Sequence, residues 1–311
     1  MVLDRESQLE LVFVCPLYSI HEKAANDFFD HWKLHFQNQN FHVQLADNPF
    51  LSEVDSFKRN ASFLKKTLQK KKESYPQLLQ YPQESILFFL IGEDPMLITW
   101  EGLILDFDFE KSSLHFRHQV QKKSDLLLKA SGLLERQQAS IADLTAGTLA
   151  DSFLMARFGA RVQAWERSVF LFPLLEQALI KEQHRQKLWP EKEQFAKNIS
   201  LKFADAKELL QQRELLASFD TLVFDPMFPE TKKNALPRKE MQIFRQLVGE
   251  DADAEQLVTF FGKALTSQQR LIVKRPLEAP PIVWNTHEGR QAGPRRSVQG
   301  NLVRWDIYLG T

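Results

Sequence analysis

The stretch SIADLTAGTLADSFLMARFGARVQAWER, residues 140–167, decides the fold. "SIADLTAG" is a short apolar run that stops at an acid and a glycine, the profile of a buried strand and its turn. "ADSFLMARFG" spaces its apolar residues as a helix does and closes on Gly159, the residue type that most readily ends a helix in the left-handed conformation. "ARVQAWER" is a second strand-like run, ending in Glu166. Two strands joined through a helix make a parallel pair, because a parallel pair needs a crossover of about a dozen residues or more.

The same rhythm continues outward. A long helical region runs from Val169 to about Leu188, "ISLKFAD" is a third strand, "AKELLQQRELLASF" a helix and "FDTLVFD" a fourth strand. Helical segments are expected at about 236–248 and 253–266, followed by a fifth strand, "RLIVKR". The tail "SVQGNLVRWDIYLGT" holds two further strand-like pieces with Gly300 and Asn301 between them, a plausible hairpin turn. The expected fold class is therefore α/β, a Rossmann-like, mostly parallel sheet with a C-terminal antiparallel hairpin.

Upstream the pattern is less regular. "LELVFVCPL", "FHVQLA" and "SILFFLIG" read as strands, alternating with charged, helix-like stretches at 21–37 and 52–72. Residues 96–118 read as a hairpin turning at Glu101 and Gly102. The expected organisation is a smaller α/β region over 1–95 and a larger domain over 96–311.

Composition bounds what such a chain can do. Of 311 residues 43% are hydrophobic and 26% charged, enough apolar material for a sizeable core in a soluble protein. Forty basic residues balance forty acidic ones, so an anionic partner must be met by a local patch rather than by net charge. The single cysteine, Cys15, excludes an intramolecular disulfide framework and a cysteine-based zinc cluster, and its apolar surroundings read as a buried strand thiol. No apolar run is long enough for a membrane-spanning helix, and "MVLDRESQLE" is not a secretory leader, which leaves a cytoplasmic location as the expectation.

In open α/β sheets ligands bind beyond the carboxyl ends of the strands, where the strand order reverses. Those ends are acidic here. The first brings Asp143 and Gly147 to the start of a helix, where free N–H groups and the helix dipole favour electronegative groups. The second ends in Glu166, 19 residues beyond Gly147, close to the spacing at which such folds hold a ribose. The third ends in Asp205, which either accepts from an adenine amine or caps the next helix. Four acidic strand ends in sequence point to a nucleoside-type cofactor. The loop "GTLAD" lacks the full Gly-x-Gly-x-x-Gly of nicotinamide-binding folds, which counts against an oxidoreductase.

The fourth strand ends in Asp225-Pro226-Met227-Phe228. An acid, a stiff proline turn and an aromatic suit methylation of an exocyclic amine on a nucleobase. A carboxylate and a backbone carbonyl accepting its N–H groups favour the pyramidal, attacking nitrogen, and Phe228 would stack on a base drawn out of its helix. The other reading of the same residues is a rigid loop with Phe228 in the core. No spacing of His, Cys and Asp suggests zinc, and no metal is expected.

"DLTAG", "WER", "DPMFP" with the basic stretch after it, "VKRP..APP" and the closing "RWDIYLGT" together resemble the small-subunit ribosomal RNA methyltransferase J family. These are 16S rRNA guanine-N2 methyltransferases that use S-adenosylmethionine and have the class I methyltransferase fold. The resemblance covers about residues 100–311, and is most specific at 225–248 and 272–281; "LILDF" at 103–107 with His115, Arg117 and His118 also matches. It implies cofactor contacts from Ala150 and Asp151 at the helix start, Glu166 and Arg167 at the second strand end, and Asp205 and Ala206 at the third. Asp225 would lie between cofactor and target base. Where the family reads Gly-Leu-Gly-Arg-Asp, this chain has Gly147-Thr148-Leu149-Ala150-Asp151. Asp151, Glu166 and the "DPMFP" segment are kept.

Basic residues gather near the proposed site: Lys232, Lys233, Arg238, Lys239, Lys274 and Arg275. A Gly/Pro-rich loop adds His287, Arg290, Arg295 and Arg296, and residues 267–311 hold seven Lys or Arg against three Asp or Glu. A basic loop beside the active strand ends suits phosphate contacts. The expected partner is the 16S rRNA of the small subunit, with no membrane and no metal. Two alternatives stay open on the residues alone: methylation of adenine N6, and an RNA-binding module without catalysis.

Overall fold

In a computed structural model of the chain, the described residues are 11–16, 22–38, 42–45, 86–91, 94–99, 104–107, 125–136, 138–188, 194–228, 251–286 and 288–310. The side chain of Cys15, the helix expected at 52–72, His115, Arg117, His118, the segment 236–248, Lys232, Lys233, Arg238, Lys239 and His287 lie outside the described residues.

The chain divides into two compact units, the first reaching Phe107. It begins with β1 (Leu11–Pro16), α1 (Glu22–Asn38) and β2 (His42–Leu45), a βαβ unit with the two strands parallel and Leu11 opposite His42. α1 buries Phe28, Trp32 and Phe36, a four-residue spacing that lines one helical face. β3 (Ile86–Ile91) pairs parallel with β1, β4 (Asp94–Thr99) antiparallel with β3, and β5 (Ile104–Asp106) antiparallel with β4. The sheet order is β2-β1-β3-β4-β5, so the hairpin expected after residue 95 hydrogen-bonds into this first sheet.

The second unit opens with α2 (Leu126–Ser131), whose N-cap Asp125 accepts the N–H groups of Leu127 at 2.8 Å and Leu128 at 3.1 Å. The elements of residues 140–167 follow: β6 (Ser140–Asp143), α3 (Ala150–Arg157) and β7 (Arg161–Glu166). Then come α4 (Leu171–Leu188), a single 3-10 turn, β8 (Ile199–Phe203), α5 (Ala206–Leu209), α6 (Arg213–Ala217) and β9 (Thr221–Phe224). Pro173 sits in the first turn of α4, where its missing N–H costs nothing. The unit closes with α7 (Ala254–Ala264), β10 (Arg270–Pro276), a two-residue pair β11 (Trp284–Asn285) and β12 (Gln291–Ala292), β13 (Arg296–Gln299) and β14 (Val303–Leu309).

The seven-stranded sheet runs β13-β14-β10-β9-β6-β7-β8. β8, β7, β6, β9 and β10 are parallel, while β14 is antiparallel to β10 and to β13. This is the expected Rossmann-like sheet with a C-terminal antiparallel hairpin. The chain leaves β6 for β7 and β8 on one side, then returns to β9 and β10 on the other. The switch point therefore lies between β6 and β9, at their carboxyl ends.

Burial explains the strand compositions. β9, "TLVF", is central and buried at every residue, so it reads as a continuous apolar run, whereas the edge strand β8 alternates. One core packs Leu222, Phe224, Leu257, Val258, Phe261 and Val273 between the sheet and α7, with Phe224 and Phe261 edge to face at 5.8 Å. A fully buried side chain of this size contributes about 2–3 kcal/mol.

Two expectations are corrected in this unit. "AKELLQQRELLASF" forms two short helices, because Leu210 and Gln212 donate to carbonyls three residues back and so end α5. The basic loop also departs from its expected place beside the active strand ends. Trp284 stacks on Tyr308 at 5.2 Å and seats against Gly262, where a Cβ would lie 2.2 Å from the indole. Tyr308 pairs with Leu271 near the start of β10, so this contact draws the chain back from the carboxyl ends. Arg296 then stands on the edge strand, level through Ile307 with Ile272, the third residue of β10.

Candidate active site

At the carboxyl end of β6 the chain threads between its two neighbours. The Leu144 N–H donates to Val223 O at 2.9 Å and the Ala146 N–H to Trp165 O at 2.8 Å. Gly147 and Leu149 both take the left-handed conformation, with φ of 55° and 59°. For glycine this is free; for Leu149 it costs on the order of 1 kcal/mol, offset by a side chain with no exposed surface. Leu149 thus holds a left-handed backbone at the position where the family resemblance has its second glycine.

Asp143 ties this turn together from inside. One oxygen accepts the Thr145 N–H at 3.2 Å and the other accepts the Ser152 hydroxyl at 2.5 Å. Burial pushes its pKa up to about 7, against the pull of the Ser152 hydrogen bond. Its contact to a ligand would be indirect, through the loop it shapes.

Glu166 closes the other side of the loop. Its Oε2 accepts the Gly147 N–H at 3.1 Å and its Oε1 the Ser168 N–H at 2.7 Å. Desolvation lifts this carboxyl to about 7 as well, opposed chiefly by the Ser168 and Gly147 N–H groups. The Arg167 N–H also bonds this carboxylate, which keeps capacity for a further donor. At β8, Asp205 caps α5 in a reciprocal arrangement with Glu208, and its other oxygen lies 3.8 Å from Arg167. Ala206 is buried behind it, and Ala150 and Asp151 open α3 half-buried.

The four residues after β9 are held from three directions. The Asp225 N–H donates to Thr145 Oγ1 at 2.8 Å, across the switch point, and its Oδ2 pairs with Lys274 Nζ at 2.6 Å. Pro226 O accepts the Phe228 N–H at 2.9 Å, a tight turn. The Met227 N–H donates to Asp251 Oδ2 at 2.7 Å, and the Asp251 N–H returns to Met227 O at 2.9 Å. Asp251 Oδ1 in turn takes Arg167 at 2.7 Å.

Phe228 is half-buried, and one face of its ring is covered by the Arg275 guanidinium at 4.3 Å. Arg275 was expected among the RNA-facing residues. It is 3% exposed instead, bonded to Glu255 and Pro280 O, and so stands beneath the site as support. Lys274, half-exposed, lies 5.7 Å over the Trp305 ring. Arg290, Arg295 and Arg296 are exposed. Sequence reasoning missed Thr145, Ser152 and Asp251; Thr145 lies inside the "DLTAG" stretch, and Asp251 lies just before the helical segment expected at 253–266.

The donor set suits S-adenosylmethionine. Glu166, Asp205 and Asp151 are acceptors facing the strand ends and the start of an eight-residue helix, and the cofactor offers a ribose diol, an adenine amine and two cationic centres. Among the described residues no group of three or more His, Cys, Asp or Glu side chains could hold a metal, and no helix is long and apolar enough to cross a membrane.

Comparison with known proteins gives the family. Residues 65–310 match the SAM_MT family model of SAM-dependent methyltransferases. The ribosomal RNA small subunit methyltransferase J of Bdellovibrio bacteriovorus is 34% identical over 224 residues, 71% of this chain and 81% of the relative. Its namesake in Desulfotalea psychrophila is 31% identical over 255 residues, 81% of this chain and 90% of the relative. Among solved structures, a SAM-dependent methyltransferase of Neisseria gonorrhoeae aligns with a TM-score of 0.49 and 23% identity, over 79% of this chain and 91% of its own. With a model match over most of its length and relatives above 30% identity, the chain belongs to the ribosomal RNA small subunit methyltransferase J family of SAM-dependent enzymes.

Proposed function

We propose that this protein transfers a methyl group from S-adenosylmethionine to the exocyclic N2 amine of a guanine in the 16S rRNA of the small ribosomal subunit, in the cytoplasm. The observation that carries the reading is Asp225: an acid at the switch point, anchored to Thr145 and Lys274, with Glu166 and Asp205 following the neighbouring strands on the carboxyl side of the sheet. The relatives' names supply the substrate class.

The bound cofactor supplies an electrophilic methyl carbon. Glu166 accepts from its ribose hydroxyls and Asp205 from its adenine amine, while Gly147, Ala150, Asp151, Arg167 and Ala206 shape the pocket around them. Asp143 keeps the loop in place through Thr145 and Ser152. Asp225 and the Pro226 carbonyl accept the two N–H groups of the target amine, which turns the nitrogen lone pair out of the base plane and toward the methyl carbon. Pro226 O already takes the Phe228 N–H, and its second lone pair serves the amine. Phe228, half-buried against the core and held by Arg275, would meet the base with the part of its ring that stays exposed. Positioning of this kind, at reacting distances of about 3 Å, accounts for catalysis without a protein nucleophile. The proton lost after transfer goes to solvent.

Lys232, Lys233, Arg238, Lys239, Arg290, Arg295 and Arg296 are the proposed phosphate contacts, Arg295 and Arg296 standing at the edge of the sheet. The test is mass spectrometry of small-subunit RNA from cells with and without the protein. One guanine should carry an N2-methyl group only where the protein is present; an identical modification pattern in both would refute the reading.

A further inference from the structure

We infer that Lys274 is a positioning residue for the methyl transfer: its ammonium fixes the Asp225 carboxylate in the orientation that receives the target amine. The inference rests on the proposed role of Asp225 and extends it to a residue whose position in a basic stretch suggests phosphate contact instead.

The geometry separates the two roles. β10 pairs with β9 in parallel, with Val273 opposite Phe224, so the next residue of each chain, Lys274 and Asp225, stand side by side where the sheet ends. Lys274 Nζ is 2.6 Å from Asp225 Oδ2, a charge-assisted hydrogen bond with both side chains about one third exposed. The stem of Lys274 is guided by the cross-strand Trp305, whose ring lies 5.7 Å from the ammonium. Next to it, Arg275 is buried and holds Phe228, so consecutive residues of one strand orient the acid and the aromatic of the same turn.

The chemistry gives this pairing a purpose. An aspartate side chain on a free strand end samples several rotamers, and its carboxylate meets the amine in only some of them. The main-chain bond to Thr145 fixes where the residue starts, and Lys274 fixes where its carboxylate ends. An ionised carboxylate accepts hydrogen bonds only, as the two-proton amine requires. A lysine engaged in this way has to leave Asp225 to bind a phosphate, so the two roles compete.

The experiment compares wild type with Lys274→Met, Lys274→Arg, Asp225→Asn and the double variant, using labelled S-adenosylmethionine and small-subunit RNA from cells lacking the protein. Single-turnover rates and RNA affinity over a salt series are measured for each, with melting curves confirming the fold. Lys274→Met should lower the rate about 10- to 100-fold, leave RNA affinity and its salt slope unchanged, and be largely rescued by Lys274→Arg. In the Asp225→Asn background it should cost less than about twofold, the non-additivity of two residues acting as one unit. A rate within twofold of wild type, or weakened RNA binding with a slope lower by about one, overturns the inference and makes Lys274 a phosphate contact. Full activity in Asp225→Asn would instead remove the reading on which it rests.

Discussion

Arg167 and Asp251 form a 2.7 Å ion pair that joins the end of β7 to the turn after β9. Asp251 bonds the Met227 N–H with its other oxygen, so Arg167, proposed to lie on the cofactor side, and the turn proposed to receive the substrate share one buried carboxylate. The two halves of the site are thereby held in a fixed relation, which a transfer between two bound molecules needs.

Asp251→Ala leaves the Met227 N–H and Arg167 without this partner. It should destabilise the protein by about 1–3 kcal/mol and lower methyl transfer about tenfold or more through misplacement of the turn. Asp251→Asn keeps an acceptor for Met227 and should fall between the two. Denaturant melts and single-turnover rates check this; wild-type rates in Asp251→Ala would show the link to be dispensable.

Asp143 and Glu166 predict an unusual pH dependence. Their carboxyls sit at about 7 in the fold, against ordinary values of 3.8 and 4.5. Raised values mean that the native state binds more protons than the unfolded chain over this window. Their contribution is therefore complete below about pH 4 and lost as pH rises through about 7, a change of a few kcal/mol. Denaturant midpoints should drop between pH 5 and pH 8, and Glu166→Gln should drop less. A cofactor that donates hydroxyls to ionised Glu166 should bind more tightly as pH rises across the same range. Equal slopes in wild type and Glu166→Gln would dismiss the role given to burial.

Leu149 allows a test of compensated strain. Leu149→Ala keeps the left-handed backbone and empties a fully buried site, at a cost of about 2–5 kcal/mol. Leu149→Gly loses the same side chain but relieves the backbone, so it should be about 1 kcal/mol more stable than the alanine variant. Alanine equal to or better than glycine, in urea denaturation, would mean that the loop does not keep this conformation.

Arg304 supports the end of β10. It pairs with Asp306, which has no exposed surface, and donates to the carbonyls of Pro276 and Leu277. Arg304→Ala leaves a buried carboxylate helped, among the described residues, by the Ser297 hydroxyl alone and should cost about 3–5 kcal/mol. An unchanged melting temperature would contradict this.

What was legible in the chain follows from how the contacts form. The strand ends could be read because a buried parallel strand is an apolar run, and Asp143, Glu166, Asp205 and Asp225 each end one. A turn was anticipated at Gly147, but not the left-handed conformation of Leu149, whose burial offsets a strain that composition does not reveal. The holding contacts were hidden, because each joins distant parts of the chain. Thr145 reaches Asp225 across 80 residues, Lys274 reaches it across 49, and Asp251 reaches Met227 across 24. Such pairs depend on strand order, which places β6, β9 and β10 side by side. The position of the basic loop was missed for a similar reason, since the seat of Trp284 on Gly262 and Tyr308 is a tertiary fit.

The most direct test is methyl transfer from labelled S-adenosylmethionine to small-subunit RNA taken from cells lacking the protein, with wild type and Asp225→Ala side by side. The product nucleosides are then separated. The account predicts N2-methylguanosine at one site with wild type and none with a folded Asp225→Ala. Label in N6-methyladenosine, or undiminished transfer by Asp225→Ala, would contradict it.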